Sequence, residues 1–192
     1  MSIYLKLGTV GAGKSSKLIN EIYSYTSKGR NIIVCKSDKD TRNVGNIESR
    51  SGQKPVPCET ISESNTLFDL VSKHKHIDAI FIDEVQLLTK QQCEDLIKLS
   101  MKYPILCYGL KSDYKGFIFD SVALLSAYAK DEEEVISLCY YCTSRAKMNM
   151  RLIDGKPVFE GDSILVDKML GESEYIGVCP KCYIKEKYKT DM

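Results

Sequence analysis

The start of the chain combines an apolar run, a glycine-rich turn and a helical pattern. Residues 3–7 are mostly apolar or β-branched and end at Gly8, which predicts a short strand. Within residues 15–25, apolar side chains recur at the spacing of one helix face, at Leu18, Ile19, Ile22 and Tyr23. The pattern therefore predicts a strand, a glycine-rich turn and a helix, in that order.

The alternation of strand and helix patterns continues through the middle of the chain. Three apolar runs predict buried strands at residues 31–35, 77–82 and 105–108. Helical spacing is found at residues 66–74, 91–101 and 121–129. This order indicates an α/β fold, with a parallel sheet covered by helices on both faces.

Two further segments are less regular. Residues 37–60 are polar and contain glycine and proline, which predicts a long loop with one short strand near Val56. Residues 135–138 are apolar enough to predict a last strand of the sheet. We expect the long loop to have a function, because loops of this length in compact domains often do.

The character of the sequence changes after Leu138. Residues 139–182 are rich in cysteine, glycine and charge, and the alternation of apolar and polar residues is confined to short stretches near residues 158–160 and 163–166. We therefore expect a nucleotide-binding α/β domain at residues 1–138, a small metal-binding subdomain at residues 139–184 and a solvated tail at residues 185–192.

Composition and charge narrow the possible classes of function. The 192 residues are 43% hydrophobic and 28% charged, which excludes a disordered chain and allows one full domain with an appendage. The net charge of +1 lacks the basic excess of proteins that hold a phosphate backbone, so no direct nucleic-acid binding is expected. No apolar run approaches the roughly 20 residues of a membrane span. We expect a cytoplasmic protein without a membrane partner, in which eight cysteines are more typical of metal binding than of disulfides.

A phosphate-binding loop follows the first predicted strand. The pattern G-x-x-x-x-G-K-[ST] is matched by Gly8, Thr9, Val10, Gly11, Ala12, Gly13, Lys14 and Ser15. In such loops the backbone N–H groups hold phosphate oxygens, the lysine reaches the β- and γ-phosphates, and the serine hydroxyl binds Mg²⁺. The alternative is an accidental glycine-rich turn, but the strand before it and the helix after it favour nucleotide binding.

A pair of carboxylates stands at the end of the second buried strand after this loop. Asp83 and Glu84 close the apolar run at residues 77–82. Phosphoryl transfer needs a carboxylate that holds the metal, and we assign this role to Asp83. Because the strand ends here, the chain can turn Glu84 toward the cleft as a base. The alternative is a polar strand exit with no catalytic role.

Four cysteines in two C-x-x-C pairs indicate a structural zinc site. The pairs are separated by 36 residues and consist of Cys139, Cys142, Cys179 and Cys182. Four thiolates complete the tetrahedral shell of a structural zinc. The alternative is a redox dithiol or two unrelated pairs. The single cysteines are mostly expected to be core residues, at Cys35, Cys58, Cys93 and Cys107.

Together these motifs resemble the type II thymidine kinases, a family that joins a P-loop domain to a zinc-clamped lasso covering the nucleoside. The resemblance extends from Gly8 to Cys182. Besides the P-loop it is carried by five segments: Asp40-Thr41-Arg42, Ser49-Arg50-Ser51-Gly52, Ile82-Asp83-Glu84-Val85-Gln86, Tyr108-Gly109-Leu110, and Glu174-Tyr175 with Val178-Cys179.

The resemblance implies roles for individual residues. Glu84 matches the catalytic base of the family. The ATP-contacting stretches match the P-loop and Asp83, Glu84, Val85 and Gln86. The nucleoside pocket, between the core and the lasso, matches Val10, Leu110, Tyr114, Phe119, Asn149, Val166 and Tyr175. Aromatic rings at three of these positions suit a flat base.

The departures from the family pattern are local. The P-loop interior holds the small residues Thr9 to Ala12, Lys111 stands where an aspartate often follows Tyr-Gly-Leu, and Leu170-Gly171 replaces a glycine pair. In addition, Asn149 replaces a usual threonine. These differences bear on nucleoside preference more than on the type of reaction.

The implied activity is a thymidine kinase that transfers the γ-phosphate of ATP to the 5′-hydroxyl of thymidine, giving dTMP for nucleoside salvage and DNA precursor synthesis. The resemblance further implies ATP, Mg²⁺ and structural Zn²⁺ in the site, dTTP as a feedback inhibitor and a homotetramer. The alternative is a P-loop ATPase module whose zinc knuckle binds nucleic acid or a protein partner. That alternative assigns no role to Tyr114 and Tyr175.

Overall fold

A parallel β-sheet flanked by helices forms the centre of the protein. The computed structural model describes residues 2–161 and 173–189. In this part of the chain the strands are β1 (Ile3–Gly8), β2 (Ile32–Ser37), β3 (Asn46–Ile47), β4 (Val56–Pro57), β5 (Glu59–Ile61), β6 (Ala79–Asp83), β7 (Ile105–Leu110), β8 (Ala129–Val135), β9 (Met148–Ile153), β10 (Lys156–Val158) and β11 (Ser173–Val178). The helices are α1 (Lys14–Thr26), α2 (Leu67–Ser72), α3 (Lys90–Leu99), α4 (Asp120–Ser126) and α5 (Pro180–Tyr188), with a 3₁₀ turn at Val85–Leu87.

The central sheet has the strand order β5-β2-β6-β7-β1-β8, and its neighbouring strands run parallel. Gly8 at the end of β1 is in register with Leu110 and with Val135. Asp83 at the end of β6 is in register with Lys36 of β2. The P-loop and the carboxylate pair therefore open at the same edge of the sheet, where α/β proteins commonly bind ligands.

Helices cover both faces of this sheet, because the apolar strands point side chains alternately to either side. On β6, Ile80 and Ile82 pack with apolar residues of α2, α3 and α4. Ala79 and Phe81 pack on the opposite face with residues of α1. The predicted α/β fold with a parallel P-loop core is confirmed. None of the described helices is long and apolar enough to cross a membrane.

A second, antiparallel sheet follows the first, with the strand order β10-β9-β11. On β9, Met150 and Leu152 point to one side and pack in a cluster with Cys139, Cys179 and Tyr183. Side chains alternate along a strand, so Asn149 and Arg151 lie on the other side. One face of this small sheet therefore packs on the cysteine cluster, and the other face carries Asn149 and Arg151.

The last strand of the central sheet lies earlier in the chain than the sequence predicts. Helix α4 ends at Ser126, where the pattern predicts a helix to residue 129, and β8 spans Ala129–Val135, where it predicts a strand at residues 135–138. The reason is that β8 is an edge strand rich in acidic residues, which are exposed or paired with lysines. Glu133 pairs with Lys17, and Glu132 pairs with Lys111. A charged edge strand has no apolar run that a periodicity argument can detect.

The polar segment at residues 37–60 contains more structure than one short strand. The strand expected near Val56 is β4, and it pairs with β3 in a two-stranded hairpin. Strand β5 starts at Glu59 and adds to the edge of the central sheet beside β2. Its three residues are too few to give a periodic signal.

None of the eight cysteines, all of which lie among the described residues, forms a disulfide. Cys35, Cys93 and Cys107 are fully buried in the core of the central sheet, as expected for core residues. Cys58 is half-buried and packs against the opposite face. Burial raises the pKa of Cys93 to about 12, which keeps that thiol protonated at neutral pH. The unpaired cysteines thus contribute packing, and the remaining four are grouped elsewhere.

Candidate active site and zinc centre

The P-loop connects β1 directly to α1. Gly11 and Gly13 have φ values of 76° and 79°, in the left-handed region that favours glycine. Helix α1 begins at Lys14, and no side chain caps its N-terminus. The free N–H groups of the first helical turn, together with the helix dipole, form an anion site of the kind that holds phosphate.

Lys14 extends from this helix end back over the loop. Its Nζ donates to the carbonyl oxygen of Thr9 at 2.8 Å. Burial lowers the pKa of Lys14, while the nearby carboxylates of Glu84 and Asp83 oppose that shift. A phosphate at the helix end would add negative charge beside this ammonium and stabilise it further.

Asp83 lies at the carboxyl end of β6 and is only 6% exposed. Burial, followed by the charge of neighbouring Glu84, raises the pKa of Asp83 to about 7. Its Oδ1 accepts the backbone N–H of Glu84 at 3.0 Å. A buried carboxyl group so close to a second carboxylate favours either a proton or a cation as its partner.

Glu84 has an unusual backbone conformation. Its φ of 50° lies in the left-handed region, which costs a residue with a side chain about 1–2 kcal/mol. Arg42 donates to Glu84 Oε1 at 2.8 Å, and Gln86 Nε2 donates to Glu84 Oε2. Strain of this kind persists only where surrounding contacts enforce it, and it is concentrated at functional sites.

Gln86 ties this strained residue to the neighbouring strand. Its Oε1 accepts the N–H of Leu110 at 3.0 Å. A Cβ at Gly109 would lie 2.3 Å from the same Oε1, so only glycine permits this close approach. Val85, by contrast, is fully buried in the core, and only its backbone is available to a ligand.

Two tyrosines expected in the nucleoside pocket lie together. The ring centroids of Tyr114 and Tyr175 are 6.1 Å apart in an edge-to-face arrangement. Tyr114 is buried, and its hydroxyl donates to the carbonyl oxygen of Glu160 at 2.8 Å. Arg151, in register with Tyr175 across the small sheet, lies 5.7 Å from the centre of the Tyr114 ring.

Asn149 connects the small sheet to the P-loop. It is 2% exposed, its Oδ1 accepts the N–H of Val10 at 2.8 Å, and its Nδ2 donates to the carbonyl oxygen of Ser112 at 2.7 Å. Gly177, opposite Asn149 on β11, lies so close to the loop that a Cβ would be 2.7 Å from Thr9 Oγ1. The side of the sheet that carries Tyr175 therefore packs directly on the P-loop.

The other predicted pocket residues have different surroundings. Leu110 ends β7 beside Gly8 and is half-buried. Phe119 precedes α4 and packs against the core of the central sheet. Val166 lies outside the described residues. The structure thus brings Asn149 into contact with the P-loop and places Tyr114 and Tyr175 beside each other.

The four cysteines of the two C-x-x-C pairs form one cluster. Their Sγ atoms all lie within 4.8 Å of one another, with Cys142 Sγ 3.7 Å from Cys179 Sγ and 3.8 Å from Cys182 Sγ. Four Zn–S bonds of about 2.3 Å in a tetrahedron place the sulfurs about 3.8 Å apart, so the donor set fits zinc. Hydrogen bonds from the backbone and hydroxyl of Ser144 lower the pKa of Cys142 to about 6, whereas burial raises the pKa of Cys182 to about 12.

Sequence reasoning left two residues of this site without a role. Arg42 is part of a segment that carries the family resemblance, but its contact with Glu84 joins residues 42 positions apart. Arg151 lies on β9, and its contact with the Tyr114 ring depends on how β9 packs in the folded protein. Neither contact has a local signal, because both depend on where distant segments meet.

The comparisons with known proteins agree with this geometry. The family model described as thymidine kinase matches residues 1–183. The chain is 34% identical to the thymidine kinase of Lactococcus lactis subsp. lactis (strain IL1403), over 95% of this chain and 97% of that protein. It is 32% identical to the thymidine kinase of Lactobacillus johnsonii, over 92% of this chain and 93% of that protein. The chain belongs to the thymidine kinase family.

Membership in the thymidine kinase family confirms the resemblance seen in the sequence. The match extends through the region of all four clustered cysteines and the P-loop. The comparisons do not favour the alternative of an ATPase module with a nucleic-acid-binding knuckle. The matching family model and the relatives are both described as thymidine kinases.

Replacement of Cys142 by serine tests the zinc centre. We expect the zinc content to fall from about one ion per chain to a small fraction, because a serine hydroxyl is a poor fourth ligand. The central sheet is packed separately from this cluster. Thymidine affinity should therefore fall while ATP affinity is retained. Metal analysis and binding titrations measure both effects.

Cys58→Ser is the matched control, because Cys58 lies outside the cluster. It should keep its zinc. Full zinc content and thymidine affinity in Cys142→Ser would contradict the assignment.

Proposed function

We propose that the protein transfers the γ-phosphoryl group of ATP to the 5′-hydroxyl of thymidine, giving dTMP. The observation that carries this proposal is the meeting of the P-loop with the Glu84 carboxylate at one edge of the central sheet. Membership in the thymidine kinase family supports thymidine as the acceptor. ATP supplies the phosphoryl group, and the protein supplies position and charge.

The P-loop would bind the triphosphate of ATP. The N–H groups of Lys14 and Ser15 lie in the uncapped first turn of α1, and the Lys14 ammonium donates to the carbonyl oxygen of Thr9 in the loop. This positive end of the helix would hold the transferred phosphoryl group in place and balance the charge that develops on it. The stretch from Asp83 to Gln86 forms the opposite side of the ATP site.

We assign Mg²⁺ to Ser15 and Asp83. The residues fit such an ion, because Asp83 is a buried carboxyl group whose ionised form lacks compensation by its nearest neighbour, Glu84. A bound Mg²⁺ would neutralise phosphate charge during transfer. The Asp83 oxygens and the Ser15 hydroxyl would orient it at the edge of the sheet.

Glu84 is proposed as the general base that accepts the proton of the nucleoside 5′-hydroxyl. Arg42 and Gln86 hydrogen-bond its two carboxylate oxygens and hold it in a single orientation. A base that is already held in place loses little freedom when the hydroxyl approaches. The strained backbone of Glu84 is consistent with this role.

The nucleoside is proposed to bind between the P-loop and the small sheet, in contact with Val10, Leu110, Tyr114, Phe119, Asn149, Val166 and Tyr175. The edge-to-face tyrosine pair gives this region the aromatic surface that a pyrimidine base needs. The hydrogen bond between Asn149 and Val10 brings the base region close to the phosphates.

Feedback inhibition, cellular location and oligomeric state are further proposals. dTTP carries both a thymidine and a triphosphate, so it would fill the nucleoside region and reach the phosphate site as a feedback inhibitor. The free thiols are typical of a reducing compartment and support a cytoplasmic location. A homotetramer is proposed from the family resemblance. The domain division at residue 138 and the lack of direct nucleic-acid binding are proposed from the sequence pattern and the net charge.

Glu84→Gln tests the proposed base. Glutamine keeps the size of the side chain and one of its two acceptor oxygens but accepts no proton, so kcat for thymidine should fall about 10²–10⁴-fold. ATP affinity should change little. Steady-state kinetics and a titration with an ATP analogue measure the two effects.

Glu48→Gln is the control for the loss of one carboxylate, because Glu48 is exposed on the loop after β3. Its kcat should be unchanged. Near-normal turnover in Glu84→Gln would remove Glu84 from the reaction.

The raised pKa of Asp83 predicts a proton release. Because the pKa of Asp83 is raised, this carboxyl holds a proton in part of the free protein at pH 6.5, and Mg²⁺ bound with a non-hydrolysable ATP analogue should displace and release it. At pH 8.5 Asp83 is already ionised, and the release should largely disappear. Calorimetry in buffers of different ionisation enthalpy measures this. Equal proton release at pH 6.5 and pH 8.5 would contradict the assignment of Asp83. The same release in Asp83→Asn as in the parent protein would also contradict it.

Tyr175→Ala tests the nucleoside region. Removal of a ring that contacts the nucleoside before and during the reaction should raise KM more than it lowers kcat. We expect a loss of about 2–4 kcal/mol in thymidine binding, the range for a buried aromatic anchor, with KM for ATP nearly unchanged.

Tyr140→Ala is the control, because Tyr140 lies beside the zinc ligand Cys139 and is 62% exposed. Both variants should keep their zinc. An unchanged KM for thymidine in Tyr175→Ala, or a loss of zinc in its place, would exclude Tyr175 from the site.

A further inference from the structure

A buried lysine lies behind the contact between Arg42 and Glu84. Lys36 is the fifth residue of β2, in register with Asp83 of β6, and only 2% of it is exposed. Neither the P-loop nor the nucleoside region uses this side chain. A charge so deeply buried persists in a folded protein only where its hydrogen bonds and its charge are compensated.

The three N–H donors of the Lys36 ammonium have three acceptors. Nζ lies 3.2 Å from Asp40 Oδ2, 2.6 Å from the carbonyl oxygen of Arg42 and 2.9 Å from that of Asn43. A lysine ammonium carries three donors, so its capacity is fully used. Lys36 therefore fixes the backbone of the turn that carries Arg42.

Asp40 is shared between this lysine and Arg42. While its Oδ2 accepts from Lys36, its Oδ1 accepts from the backbone N–H of Arg42 at 3.2 Å and from Nε at 2.9 Å. Arg42 then donates from Nη2 to Glu84 Oε1 at 2.8 Å. The result is a continuous chain of charges from Lys36 through Asp40 and Arg42 to Glu84.

Besides these bonds, the turn is held by backbone hydrogen bonds from the Asp40 N–H to the carbonyl oxygen of Ser37 and from the Asn46 N–H to that of Asn43, both at 3.0 Å. Neither of them fixes the Arg42 side chain. Residues 41–44 are exposed, and none of them belongs to a helix or strand. The Arg42 side chain itself is 51% exposed. An exposed arginine samples many rotamers unless it is bonded at more than one point. The buried end of this chain, at Lys36 and Asp40, therefore determines where Arg42 lies.

We propose that Lys36 is a positioning residue, which fixes the turn at residues 40–43 so that Arg42 pairs with Glu84 in the reactive arrangement. The proposal rests on the proposed function, because it gives Lys36 a role through the base. Lys36 touches neither substrate. Its effect on turnover should therefore pass through Arg42.

A double-mutant cycle tests this. Lys36→Met, which keeps a long side chain without the charge, should lower kcat about 10- to 100-fold, because a misplaced group near the reacting atoms costs about that much. KM for thymidine should stay within about twofold. When Arg42→Met is already present, Lys36→Met should lower kcat no further, because residues that act in one chain are not additive.

Lys39→Met is the matched control, since Lys39 is an exposed lysine in the same segment. Its kcat should be that of the parent protein. Full turnover in Lys36→Met would overturn the proposal. The proposal would also be overturned if the two separate losses of kcat multiply in the double variant. That result would mean that Lys36 acts independently of Arg42.

Lys36→Met removes a buried charge partner and can weaken folding, so Asp40→Asn is a second variant. It removes the shared carboxylate charge and leaves the bonds of Lys36 to the two carbonyl oxygens. The proposal predicts the same loss of kcat, again absent when Arg42→Met is present. An unchanged kcat in Asp40→Asn would overturn the proposal. So would a further loss of kcat when Asp40→Asn is added to Arg42→Met. Full activity in Glu84→Gln would instead count against the proposed function.

Discussion

The close contact between the small C-terminal sheet and the P-loop is the constraint on which the nucleoside side of the site depends. Gly177 leaves no room for a side chain against Thr9, and Asn149 bonds the backbone of Val10. The opposite side of the same sheet packs around Cys139 and Cys179 of the proposed zinc centre. Zinc would therefore hold the orientation of a sheet whose other side carries Tyr175. A structural metal in this position would act on nucleoside binding without touching the nucleoside.

The phosphate side of the site depends on charges gathered at the carboxyl edge of the central sheet. Two adjacent carboxyl groups, Asp83 and Glu84, lie near two cations, Lys14 and Arg42. The pKa of Asp83 is raised and that of Lys14 is lowered, both chiefly by burial. Each shift favours the binding of a group that restores the missing charge. The arrangement is thus suited to a metal ion and a triphosphate bound together.

Local patterns in the sequence predict most of the fold and the main motifs of the candidate site. They do not predict the contacts between distant segments. The P-loop, the carboxylate pair and the four cysteines are short motifs whose chemistry is visible in the sequence. The apolar pattern predicts the last strand too late in the chain, because β8 is an edge strand rich in acidic residues and has no apolar run. The roles of Lys36 and Arg42 depend on a turn that meets a distant strand, and no spacing along the chain reports such a contact. The family resemblance includes the segment of Arg42 but does not reveal these interactions.

The central claim is that one cleft holds ATP at the P-loop and presents the 5′-hydroxyl of thymidine to it. The most direct measurement is the transfer of label from γ-labelled ATP with Mg²⁺, in the presence of thymidine, 5′-deoxythymidine or no nucleoside. The account predicts labelled dTMP with thymidine, and no labelled nucleotide with 5′-deoxythymidine, which lacks the acceptor oxygen. Release of labelled phosphate at the same rate in all three mixtures, without labelled dTMP, would contradict it.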